Sequence, residues 1–102
     1  MYSYLYSFIQ KLILKKSLNS DAASLLKLLK VKNVIDIGCG DSDVLNYYKF
    51  DKSQKYYGYE ANSYFINKLK NKFKEKHILF FKKNINDINF NKFNPKNSII
   101  LM

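Results

Sequence analysis

Val34-Ile35-Asp36-Ile37-Gly38-Cys39-Gly40 decides the reading of this 102-residue chain. Four mostly branched, apolar residues predict a short buried strand, and Gly38-Cys39-Gly40 predicts a sharp turn at its end. Glycine reaches backbone angles that other residues resist, and it lets the main chain approach a ligand closely. Downstream, Asp41 or Ser42 is the expected cap of a helix through Val44, Leu45 and Tyr48. Tyr56-Tyr57-Gly58-Tyr59 reads as a second strand that stops at Glu60. Asn62 or Ser63 caps a further helix, with Phe65, Ile66, Leu69 and Phe73 on one face and lysines on the other. Ile78-Leu79-Phe80-Phe81 is a third strand, and Ser98-Ile99-Ile100-Leu101-Met102 a fourth. The stretch 91–97, which holds the only proline, Pro95, is the most loop-like.

Upstream, Asn19 or Ser20 is positioned to cap a helix with Asp21 in its first turn and Leu25, Leu26, Leu28 and Leu29 on its buried side. Before it, Tyr2, Leu5, Tyr6, Ile9, Leu12 and Ile13 recur at helical spacing and predict an amphipathic helix ending near Lys16. Strands alternating with helices imply parallel pairing through crossovers. The expected fold class is therefore α/β, a partial doubly wound, Rossmann-like sheet, mostly parallel, of about four strands with flanking helices. Residues 1–18 form the N-terminal helix in this reading, and 19–102 the Rossmann-like unit.

Composition narrows the function classes. The length suits one domain. All 18 basic residues are lysine, and the net charge is +10. A nucleic-acid reader is expected to use some arginine, whose guanidinium makes bidentate contacts to phosphate and guanine. Compositional bias and solubility therefore account for the charge better than a nucleic-acid partner does. The lysine run from Lys68 to Lys76 reads as a wet helix face. Cys39 is the single cysteine, so this chain has no disulfide framework and no thiol set for zinc. That fits a reducing, cytoplasmic setting. No stretch reaches the roughly 18 apolar residues of a membrane span. The aromatic and lysine faces of the N-terminal helix would also suit contact with a membrane surface. His77, the only histidine, is expected on a solvated loop.

The acidic residues give the glycine turn its chemistry. A dinucleotide fingerprint needs a third glycine where Asp43 stands. Asp36, Asp41 and Asp43 would repel a pyrophosphate. S-adenosylmethionine has no phosphate and carries a sulfonium and an amino group, so an acidic turn suits it and opposes NAD. Glu60 stands 22 positions after Gly38, at the end of the second strand. A carboxylate there can accept both hydroxyls of a ribose.

Together these motifs resemble the class I S-adenosylmethionine-dependent methyltransferase family. Residues 34–40 are close to its hydrophobic-hydrophobic-D-x-G-x-G motif. Tyr57-Gly58-Tyr59-Glu60-Ala61-Asn62 looks like its second-strand signature, and Phe80-Phe81-Lys82-Lys83-Asn84-Ile85 stands at its third-strand end. The resemblance covers roughly residues 20–102. It implies that Asp36 orients the turn or holds the methionine amino group, directly or through water. It implies that Gly38, Cys39 and Gly40 pass along the methionine and ribose, that Glu60 binds the ribose hydroxyls, and that Ala61 touches the adenine face. Asn84 falls where the family usually has an aspartate contacting the adenine amino group, and the N–H of Ile85 is placed to serve adenine too. Ser42 stands where many members have glycine. The resemblance assigns neither a catalytic base nor a metal ligand, and the methyl acceptor is unidentified.

The fourth strand reaches Met102, whereas family members continue. The expectation is a truncated or split product, a fragment, or a half completed by a second chain, with the fourth strand at an open edge. The competing readings are an inactive fragment or partner subunit with this fold, an NAD-type oxidoreductase disfavoured by Asp43, and a basic nucleic-acid-binding module.

Overall fold

In the computed structural model, residues 13–14 and 31–102 are described. Five strands, β1 (Ile13–Leu14), β2 (Asn33–Ile37), β3 (Lys55–Glu60), β4 (Ile78–Lys82) and β5 (Ser98–Leu101), form one sheet. Their order is β1-β5-β2-β3-β4, and every neighbouring pair is parallel. From β2 the chain steps outward to β3 and β4, then returns to the other side of β2 as β5. The direction of winding therefore reverses between β2 and β5. In open α/β sheets the crevice beyond the strand ends at such a reversal is where ligands bind.

The strands are apolar runs rather than alternating ones because both sheet faces are covered. Val34, Tyr56, Phe80, Ile99 and Leu101 pack on one face with Val44, Ile66 and Leu69 from two helices, α1 (Val44–Tyr47) and α2 (Ser63–Lys72). Ile35, Tyr59 and Ile100 pack on the opposite face with Ile88 and Phe93. Val34, Ile35, Tyr56 and Ile100 are fully buried, each worth about 1.5–3 kcal/mol relative to an exposed side chain. Gly58 is required by close packing. A β-carbon there would lie 2.8 Å from the Phe80 ring, 3.0 Å from the Tyr56 ring and 3.1 Å from the Cys39 sulfur.

One helix starts as expected and the other does not. Asn62 caps α2 as predicted, its side chain accepting a 2.9 Å bond from Tyr64 N–H. Neither Asp41 nor Ser42 caps α1, which is a single turn preceded by Asp43 without a side-chain cap bond. Ser42 is excluded as a cap because its φ is 54°, left-handed, whereas a cap residue is normally extended. Between β4 and β5 the asparagine-rich chain makes three 3₁₀ turns, Ile85–Asp87, Phe90–Lys92 and Pro95–Asn97. Asn89 and Asn94 each accept a bond from the N–H two residues on, which favours turns over a continuous helix. The Lys92 ammonium lies 5.2–5.6 Å from the ring centres of Phe93, Tyr57 and Phe81, pinning this connector to the sheet.

The predicted helices of 1–18 and 19–30 lie outside the described residues, with one exception. Ile13 and Leu14, expected in the amphipathic helix, are instead extended and pair with Ile100 and Leu101. The row of N–H and C=O groups along β5 supplies the physical reason, since an apolar strand left at an edge seeks a partner. The fourth predicted strand is therefore flanked on both sides rather than open. Among the described residues, no helix is long and apolar enough to cross a membrane.

Candidate functional site

Parallel register brings the predicted positions to one rim. Ile37 pairs with Tyr59, and Glu60 pairs with Lys82. The glycine turn after β2, Glu60-Ala61-Asn62 after β3 and Lys83-Asn84-Ile85 after β4 therefore all lie at the carboxyl ends of adjacent strands. Gly38 and Gly40 both adopt left-handed angles, with φ of 62° and 51°. No side chain would crowd a β-carbon at either position, so the requirement for glycine is conformational.

Glu60 ties this rim together. Its Oε1 accepts a 3.0 Å bond from Gly40 N–H, and its Oε2 accepts a 2.9 Å bond from Asn62 N–H. Its carbonyl accepts from Lys83 N–H at 3.2 Å. The carboxylate thus bridges the glycine turn and the start of α2. Each oxygen retains a second lone pair, because an ionised carboxylate offers about four acceptor positions. The side chain is half-buried, so the outward lone pairs are accessible to a ligand.

Asp36 is placed differently from Glu60. It is only 2 % exposed and lies on the helix-side face of β2. Tyr56 donates its hydroxyl proton to Asp36 Oδ2 at 2.5 Å, and the same hydroxyl lies 2.8 Å from Ser42 Oγ. A phenol has one proton, so Ser42 is the donor in the second bond. Of the two roles the resemblance implies for Asp36, orienting the turn is the one that burial favours. The sequence offers Ser42 as a helix cap and as a departure from the family pattern, and Tyr56 as a strand residue, with no sign of their contact. The signal lay in Asp36: an aspartate inside an apolar strand needs a buried polar partner.

Cys39 is buried in the helix-side core, and its N–H donates to Tyr59 O at 3.0 Å. Asp41 and Asp43 are exposed, and Asp41 pairs with Lys68 at 3.6 Å across the surface. Helix α1 has few amides to offer a ligand. The N–H groups of Leu45 and Asn46 already bond to Ser42 and Asp43 carbonyls. A one-turn helix with used amides and flanking aspartates is a poor phosphate cradle. Ala61, Asn84 and Ile85 are exposed on the rim. The Asn84 carbonyl accepts from Asp87 N–H at 3.0 Å, whereas its side chain caps nothing in the turn that follows.

His77 lies in the turn before β4, as expected, but is not fully solvated. It is half-buried, and its Nε2 lies 2.9 Å from Phe50 O, so that nitrogen carries the proton and donates. It lines a groove of about 280 Å³ with Tyr48, Phe50, Phe73 and Ile78. That groove lies at the amino ends of the strands, away from the glycine turn. Among the described residues, no three His, Cys, Asp or Glu side chains gather as a metal site.

No family model matches the chain, and neither a curated protein nor a solved structure shows significant similarity to it.

Proposed function

We propose that this chain binds S-adenosylmethionine at the rim between the glycine turn and Glu60, as the cofactor-binding portion of a methyltransferase. The observation that carries the reading is Glu60, an accessible carboxylate at the carboxyl end of β3, hydrogen-bonded to the Gly40 amide beside the point where the winding reverses. The residues fit the cofactor group by group. Glu60 has outward lone pairs for both ribose hydroxyls. The left-handed glycines keep the turn narrow enough for the methionine portion to pass along the backbone. Ala61 and Ile85 offer apolar surface to the adenine, and the Asn84 side-chain oxygen is an acceptor for its amino group.

The cofactor supplies an electrophilic methyl group on a sulfonium. The chain's own contribution is to fix that donor so that displacement occurs in line. The carboxylates Asp36, Asp41 and Asp43 place negative charge around the turn, favouring a cationic ligand over a pyrophosphate. The single cysteine is consistent with a reducing, cytoplasmic setting.

Calorimetry with S-adenosylmethionine, S-adenosylhomocysteine and NAD tests the reading. Binding of the first two without NAD is the expected result. Tight NAD binding with no response to either sulfur ligand would overturn it.

A further inference from the structure

The polar centre of the helix-side core is the Asp36–Tyr56–Ser42 cluster, and it lies directly behind the glycine turn. Tyr56 is fully buried, as is Ser42. The Tyr56 ring runs across Gly58, which faces Asp36 in the register and leaves the path open because it has no side chain. The hydroxyl therefore reaches past one strand position to grip Asp36 and Ser42 together. Ser42 is the one described non-glycine residue with a positive φ. A serine held at 54° needs compensating contacts, since L-residues resist that region. Its hydroxyl bond to Tyr56 is one such contact, and its N–H bond to Cys39 O at 2.7 Å is another.

We propose that Tyr56 is the positioning residue of the cofactor turn, locking residues 38–43 in the turn, left-handed at Gly38, Gly40 and Ser42, that receives the ligand. The role rests on the cofactor reading above, because it gives the turn a ligand to receive. Tyr56 acts through Asp36 and Ser42 and touches no ligand itself. Burial, then the neighbouring Asp36, pushes the phenol well above its usual range, so the hydroxyl stays protonated and able to donate. In this arrangement Asp36 serves as an anchor for the phenol, which explains a carboxylate inside an apolar strand.

The test uses Tyr56→Phe, which keeps the ring and removes the hydroxyl, with and without Ser42→Gly. Glycine accepts positive φ without a tether, so it should make the phenol dispensable for the turn. Amide hydrogen exchange of the ligand-free protein and calorimetry with S-adenosylhomocysteine are the two readouts. In Tyr56→Phe, amides 38–43 should exchange about tenfold faster while those of α2 and β4 are unchanged, and affinity should fall about tenfold. Adding Ser42→Gly should restore both to within about twofold of wild type. A purely structural tyrosine would not be rescued by a glycine at a different position.

Wild-type exchange in Tyr56→Phe, or failure of Ser42→Gly to restore it, overturns the proposal. If Tyr56→Phe does not fold, Ser42→Ala cuts the other arm of the cluster, and wild-type exchange in its turn would refute the role. Wild-type protein that ignores S-adenosylhomocysteine would sink the cofactor reading, whereas the exchange data would still decide whether Tyr56 locks the turn.

Discussion

Replacing Glu60 by glutamine isolates the group on which the proposed site depends. In the native chain the two carboxylate oxygens accept one backbone bond each, from Gly40 at 3.0 Å and Asn62 at 2.9 Å. An amide keeps only one acceptor, and its nitrogen would face a backbone N–H, donor against donor. One of the two bonds is lost whichever way the amide turns. The side chain is half-buried and water can reach the orphaned N–H, so the folding cost is about 1 kcal/mol rather than a buried charge's larger penalty. The ligand cost is greater. Two ribose hydroxyls donating to a carboxylate would become one donating to an amide, with the loss of a hydrogen bond to a charged group, about 1.5–3 kcal/mol. Affinity for S-adenosylhomocysteine should then fall between about tenfold and 150-fold. Urea unfolding measures the first quantity and titration calorimetry the second. Unchanged affinity in a folded Glu60→Gln protein would refute the assignment of Glu60 to the ribose.

Three further outcomes follow from the core and the caps. Gly58→Ala should destabilise the fold by about 1–3 kcal/mol in urea unfolding, because the new β-carbon meets the Phe80 ring at 2.8 Å. Asn62→Ala should cost about 1 kcal/mol by the same measurement, through loss of the cap bond to Tyr64 N–H. Tyr56 is raised well above 10.0 by burial and by Asp36, and Tyr59 is pushed up to about 12 by burial and by Tyr57. Both folded-state values exceed the unfolded one, so their stabilisation is complete below pH 10 and is lost as pH rises through the folded values. Stability followed by denaturant midpoint should thus decline above pH 10, and more gently in Tyr56→Phe.

The sheet was legible because four apolar runs were separated by helix and turn signals, and both central motifs ended in residues that stop a strand. Asn62 could be recognised as a cap from its place before Phe65, Ile66 and Leu69. The true start of α1 could not, because Asp41, Ser42 and Asp43 are all acceptable caps by type. Only the left-handed φ of Ser42 and its bond to Tyr56 separate them. The pairing of Ile13 with Ile100 was hidden for a related reason. Apolar residues at helical spacing carry no mark that an adjacent strand edge will draw two of them into a ladder. At the rim, Gly38 and Gly40 were readable as a turn, and Glu60 as a strand-end carboxylate, from type and spacing. The burial of Asp36 depended on Tyr56, a contact 20 residues away.

The central claim is that a cationic, phosphate-free cofactor sits on the rim after β2, β3 and β4. Backbone amide NMR during titration with S-adenosylmethionine tests it most directly. The account predicts shifts concentrated at Gly38, Cys39, Gly40, Asn62, Asn84 and Ile85, with Phe50, His77 and Ile78 at the opposite strand ends unmoved. Shifts centred on the groove beside His77, or no shifts at the glycine turn at saturating ligand, would contradict it.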